Sequence, residues 1–338
     1  MHKIILFSVF LFASSVTHCG FASDTAIINQ IKDKAEFIQS NNRPVYNVSC
    51  SMDGKYYAGA NETKTITIRE TESGKVISKI KGYDNIRTVE FVPSSSLVLI
   101  GLFSGTIEVW DIVSGSPIKT FKALGGPISD IAYSDDGKYF VVAGGMGNTK
   151  SMGVKIYDAS NYKELHFINN GVPYESISID NNSKIFAVST WHGIFLYELP
   201  SGKLIDQVGE GYSYFDISLS NNASILTFAQ NISAEKSYAV VLNLTNKDVV
   251  LSLLAGVPVS GSILSRDGSM LFVGGDDGVV GIFDMESKKW LNHATPIGGT
   301  IKSMSLCGSK YLITGHWYNA VNVIDIFNGK VIRSNQGG

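Results

Sequence analysis

One pattern recurs seven times along the chain, and that periodicity constrains the fold more than any other feature. The segments TITIRETESGK (65–75), TIEVWDIVSGS (106–116), GVKIYDASNYK (153–163), GIFLYELPSGK (193–203), AVVLNLTNKD (239–248), VVGIFDMESKK (279–289) and AVNVIDIFNGK (320–330) share one form. Each is a short β-rich run that usually ends in an aromatic or aliphatic residue and an acid or amide, followed by a polar turn. That acid or amide is Glu70, Asp111, Asp158, Glu198, Asn243, Asp284 and Asp325, at successive spacings of 41, 47, 40, 45, 41 and 41 residues. A unit of this length cannot bury its apolar surface alone, so the repeats must stack on one another.

Three further runs complete each unit. An apolar strand leads into a turn rich in Asp, Asn, Ser and Gly, as in ISDIAYSDDG (128–137) and SGSILSRDG (260–268). A strongly apolar run follows, such as YFVVAGG (139–145) or MLFVGG (270–275), which suits a strand covered on both faces. A fourth strand comes after the polar turn, as in KVISKI (75–80) and KVIRS (330–334). Four strands repeated seven times predict an all-β chain: a seven-bladed β-propeller of four-stranded antiparallel blades over residues 45–338. A sandwich does not accommodate seven near-identical four-strand units, and a β-solenoid coil needs a shorter period.

The motif Trp110-Asp111 at a strand end, followed by Ser114-Gly115, resembles the WD40 repeat, as do the turns Asp135-Asp136-Gly137 and Asp276-Asp277-Gly278. The resemblance covers nearly all of residues 45–338. It implies a degenerate WD40-like member of the bacterial exported kind, acting as a binding scaffold through one face of the ring. The chain departs from the pattern in having a single Trp-Asp pair and no opening Gly-His pair. The buried His-Asp network of that family is therefore not expected.

Residues 1–22 read as a secretory signal peptide: Lys3, an apolar run from Ile4 to Ala13, and small residues Gly20 and Ala22 before the cut. That run is too short to span a membrane, and no later segment is long and apolar enough. Lipidation at Cys19 is disfavoured by His18 just before it. The expectation is a periplasmic or secreted, monomeric protein. Residues 23–44 form an N-terminal segment whose part KAEFIQSNNRPV (34–45) resembles a fourth strand. It competes with KVIRS (330–334) to complete blade seven, and the reading favours the N-terminal strand as the ring closer. Cys50 and Cys307 fall in the first and last repeats, neighbours in a closed ring. Their strand positions differ by one, which sets them on opposite faces of a strand and favours two separate thiols over a bridge.

A net charge of −2 with no long basic run excludes the electrostatic footprint of a nucleic-acid binder. No G-x-S-x-G elbow is present, and the Gly-rich stretch 144–153 has no helix after it to hold a phosphate. It reads as a long, mobile hairpin. Neither cofactor nor resident metal is expected, and no catalytic residue is assigned. The alternative is a channel-centred, lactonase-like hydrolase, possibly metal-dependent, built on Asn47, Asp130 and Asp216.

Two constellations stand out as candidate sites for a protein or peptide partner. The loops between second and third strands carry Trp191 and His192 in blade four and His316, Trp317 and Tyr318 in blade seven, where tight turns need only small polar residues. The mouth position of the innermost strands reads Tyr46, Arg87, Ser129, Glu175, Phe215, Ser260 and Lys302, and Arg87, Glu175 and Lys302 form a charged rim. One position deeper, Asn47, Thr88, Asp130, Ser176, Asp216, Gly261 and Ser303 form a small polar lining.

Overall fold

The computed structural model describes residues 43–336, except 146–151, 170, 210–213, 221, 234–235 and the side chains of 214–215. Seven four-stranded antiparallel sheets are present, and no helix is found among the described residues. In every sheet the spatial order follows the chain order, so each blade is one contiguous repeat. Blade one runs Asn47–Cys50, Tyr56–Ala60, Thr65–Glu70 and Val76–Lys81 from the channel outward. The later blades begin at Ile86, Ile128, Tyr174, Tyr214, Val259 and Ile301. The fourth strand of blade seven is Val331–Gln336, so the C-terminal run fills that place. Residues 1–42, where the signal peptide and the N-terminal segment are expected, and residues 146–151 of the Gly-rich stretch lie outside the described residues.

The second and third strands alternate apolar residues toward both neighbouring blades, and the core divides accordingly into seven clusters, one per blade interface. Between blades three and four, for instance, Val141, Ala143, Val154, Ile156, Tyr174, Phe186 and Val188 are buried together. Each such Val or Ile contributes roughly 1.5–3 kcal/mol of burial.

The recurring acid at the end of the third strand caps the turn into the fourth. The Val113 N–H donates to Asp111 Oδ1 at 2.8 Å, Ser160 N–H to Asp158 at 2.8 Å and Phe327 N–H to Asp325 at 3.0 Å. Trp110 donates its indole N–H to the buried Glu108, 2.8 Å away. The repeated acid is thus explained by turn chemistry, with no His partner.

Among the described residues, blades seven and one meet without strand exchange. Val45 N–H donates to His316 O (2.9 Å), Asn61 Nδ2 to Asn319 Oδ1 (2.8 Å) and Asn335 Nδ2 to Tyr57 Oη (2.7 Å). Cys50 and Cys307 are joined by a disulfide, with Cα atoms 5.2 Å apart. This corrects the expectation of two separate thiols. Adjacent blades pack front to back, so residues that meet across an interface come from opposite faces of their own sheets. An offset of one position is what lets the two sulfurs meet.

Candidate functional site at the channel mouth

The innermost strand of a blade has no sheet partner on its channel side, so its N–H groups need acceptors from elsewhere. The polar lining supplies them from the neighbouring blade in two tiers. In the upper tier Val89 N–H donates to Asn47 Oδ1 (3.0 Å), Ile177 N–H to Asp130 Oδ2 (2.8 Å) and Val48 N–H to Ser303 Oγ (3.1 Å). In the lower tier Phe91 N–H reaches Ser49 Oγ (3.4 Å), Leu219 N–H reaches Ser178 Oγ (2.9 Å) and Leu264 N–H reaches Ser218 Oγ (3.5 Å). Glu90 occupies the same lower position, accepting from Ser49 Oγ at 2.8 Å and from the backbone of Tyr133.

Three carboxyls therefore sit inside the channel. Burial raises Glu90 to about 8, against the pull of the Ser49 hydrogen bond. Burial raises Asp130 to about 7, although backbone N–H groups of Ile177 and Ile131 favour its charged form. Burial, with the neighbouring charge of Asp130, raises Asp216 to about 7. Asp216 lies against Gly261, whose position has no room for a Cβ: the nearest atom, Asp216 Oδ2, would be 2.7 Å away. That oxygen and Thr88 Oγ1 are the buried side-chain polar atoms with no partner among the described residues. Asn47 and Asp130, two members of the hydrolase constellation, are occupied by the blade contacts above. Among the described residues no group of three His, Cys, Asp or Glu side chains is arranged to hold a metal ion.

At the far end, the turns of blades three and six, three places apart around the ring, are joined by Arg266 Nη1 and Asp135 Oδ2 at 3.0 Å. This ion pair crosses the bottom of the channel. The opposite end opens into a cavity of about 420 Å³ lined by Tyr46, Arg87, Ser129, Glu175, Ser260 and Lys302, with Asp216 and Asp276.

Those rim residues project for a common reason. Arg87, Ser129, Ser260 and Lys302 are each skipped in the pairing between first and second strands, and Glu175 is skipped together with Ser176. Each is a β-bulge, an extra residue that leaves the ladder and turns its side chain out of the sheet. In blade five the skipped residue is Asp216, which has φ +32°, and not Phe215, so the rim reading there is off by one. Blade one has no bulge, and Tyr46 precedes its first strand.

The two sequence constellations form one site. Trp191 is 54 % exposed and donates Nε1–H to Glu175 Oε1 at 3.1 Å. Trp317 is 42 % exposed, and the Lys302 ammonium lies 4.9 Å from the centre of its ring. Arg87 pairs with Glu62 of the blade-one tip at 2.9 Å and lies 5.8 Å from the Tyr46 ring. His192 is exposed beside Trp191, and Tyr318 is half-buried against Gly299. His316 needs correcting. It is fully buried, with Nδ1 2.7 Å from Gly299 O and Nε2 2.8 Å from Thr314 Oγ1. Its strand runs through to residue 316, so the turn starts at Trp317. Burial drives its pKa down to about 4, leaving a neutral ring that braces the loop 297–299 from below.

The comparisons with known proteins bear on the fold. A family described as Eukaryotic translation initiation factor eIF2A matches residues 26–161. The chain is 22 % identical over 236 residues to the Periodic tryptophan protein 2 homolog of Dictyostelium discoideum, covering 69 % of this chain and 25 % of that protein. It is 27 % identical over 111 residues to an uncharacterized WD repeat-containing protein of Synechocystis sp., covering 31 % of this chain and 32 % of the other. The chain is a WD40-like propeller. With Pre-mRNA-processing factor 19 of Oryza sativa subsp. japonica, this WD40-like propeller shares 21 % identity over 140 residues, 40 % of this chain and 25 % of the relative. The chain thus spans only a quarter to a third of the length of these relatives. A chain of Kuenenia stuttgartiensis Hydrazine Synthase superposes with a TM-score of 0.73 at 16 % identity, covering 85 % of this chain and 96 % of that one, which is a likeness of fold.

Proposed function

We propose that this WD40-like propeller is an exported, monomeric, non-enzymatic scaffold that binds a protein or peptide across its channel mouth. The observation that carries the reading is the convergence of bulged Arg87, Glu175 and Lys302 with the exposed rings of Trp191 and Trp317 on one face. Large rings beside partly shielded charges are what binding hot spots are made of. His192 and Tyr318 widen the same face, and His316 supports it from beneath. Export is supported by the N-terminal pattern of residues 1–22 and by the Cys50–Cys307 bridge, a bond that persists in oxidising compartments.

The test is affinity capture from the native envelope or medium, comparing the wild type with a Trp191→Ser, Trp317→Gly variant. Both positions are exposed, so stability should shift by no more than about 0.5 kcal/mol. Partners should be lost from the variant. An unchanged set of partners refutes the assignment of the face.

A further inference from the structure

The charges around the mouth are not mixed at random. Lys302 belongs to blade seven, Tyr46 to blade one and Arg87 to blade two, three consecutive places in the ring. Glu175 belongs to blade four, Asp216 to blade five and Asp276 to the tip of blade six. Among the residues lining the 420 Å³ cavity, the cations occupy one arc and the acids the facing arc; Glu62, which pairs with Arg87, lies outside that lining. Within the cationic arc, Lys302 makes no ion pair among the described residues, and Trp317 holds it from one side only. Arg87 offers one N–H of its fork to Glu62 and keeps others for a ligand. In the acidic arc, Trp191 fixes one oxygen of Glu175 and leaves the second unclaimed. The Arg266–Asp135 pair lies at the far end, between the turns of blades six and three.

Resting on the reading of the mouth as a peptide-binding face, we propose that the cavity takes the free zwitterionic form of a short peptide. The terminal carboxylate sits against Lys302 and Arg87, and the terminal ammonium against Glu175 and Asp276. Carboxylates pair well with a guanidinium fork and an ammonium. The two arcs face each other across the mouth, whereas a free amino acid carries both charges on one carbon. An extended peptide adds up to roughly 3.5 Å per residue between its termini, so a short peptide, unlike a free amino acid, carries its two charges apart. The volume lies in the range of small-ligand pockets, roughly 300–1,000 Å³.

The experiment is titration calorimetry on the purified full chain with four probes: trialanine, N-acetyl-trialanine, trialanine amide and free alanine. Trialanine should bind, and blocking either end should weaken it about tenfold, the weight of one shielded charged contact. Lys302→Met should reduce the preference for the free carboxylate, Arg87 remaining, and keep that for the free amine. Glu175→Gln should do the reverse. Equal binding of blocked and free tripeptides overturns the proposal while leaving the face reading intact if capture still depends on Trp191 and Trp317. Alanine binding as tightly as trialanine, or absence of any binding, overturns it as well. Capture that ignores both tryptophans removes the face reading on its own evidence.

Discussion

Reducing the Cys50–Cys307 bridge should destabilise the ring more than the loss of any other single contact. The bridge joins positions 257 residues apart, so in the unfolded chain it ties one very large loop. On the chain-entropy relation a loop of that size corresponds to about 5.5 kcal/mol at 25 °C, an upper bound that exceeds the roughly 2–4 kcal/mol disulfides typically contribute. Among the described residues every blade is contiguous, so no exchanged strand ties blade seven to blade one. What remains at the seam after reduction is the apolar cluster around Val48, Tyr57, Ile313 and Val321 and a handful of hydrogen bonds. For roughly 290 folded residues the unfolding entropy is about 0.6 kcal/mol per kelvin, so the full effect is a drop of about 9 °C in Tm. The assay is thermal and denaturant unfolding of the oxidised chain, the chain reduced under native conditions, and a Cys50→Ala, Cys307→Ala variant. Reduced and variant proteins should melt together, well below the oxidised form. Amide exchange should rise first in Asn47–Cys50 and Ile301–Cys307, the strands that the bridge holds together. A shift under about 2 °C on complete reduction refutes the reasoning, since the seam would then be holding without its covalent tie.

The channel carboxyls set a pH dependence. Glu90, Asp130 and Asp216 hold protons up to about 8, 7 and 7 in the folded chain, against ordinary values near 4 when unfolded. The folded state therefore binds more protons between roughly pH 4 and 8, and stability should fall as pH rises through that window. His316 works in the opposite sense, because its folded value of about 4 lies below its ordinary 6.5, and it costs stability as pH falls from 6.5 to 4. Between pH 6.5 and 8 the carboxyls act alone, and Tm should decline there; a Glu90→Gln, Asp130→Asn variant with an unchanged slope refutes the assignment. His316→Leu should destabilise by about 2–3 kcal/mol in denaturant melts by leaving Thr314 and the Gly299 carbonyl unpaired, and a loss under about 0.5 kcal/mol refutes its bracing role. Gly261→Val should lower Tm by driving a side chain into Asp216, and normal thermal melts would show that blade six has room after all.

The architecture was legible because burial on both faces forces the period: the strands between blades are apolar throughout, and the turns need Asp, Asn, Ser and Gly at fixed places. The rim was legible where a repeat broke its own rule, as at Arg87, Glu175 and Lys302. What projects them was not, since a bulge is an extra residue in the pairing and leaves no compositional mark. Blade five shows the consequence, where Asp216 takes the place read for Phe215. His316 was misplaced because GHWYN looks like a tip of four polar or aromatic residues, whereas the strand absorbs the first of them. The disulfide is not legible because alternation along a strand compares residues of one sheet. The two cysteines belong to two sheets stacked front to back, where the geometry inverts the rule.

Contiguous blades also divide the contacts of the fold into local and distant ones. Each repeat can form its hairpins from neighbouring residues as soon as it is complete, and each new blade finds one finished face to dock on. The last interface has no such sequence neighbour. Val48 N–H waits for Ser303, and Asn61 for Asn319, across more than 250 residues of chain. The apolar cluster on that flank of blade one is completed by residues of blade seven. Closure is thus the one step that tells a finished molecule from a truncated one, and a chain cut short by a single repeat would carry every local feature of the fold and still lack a channel.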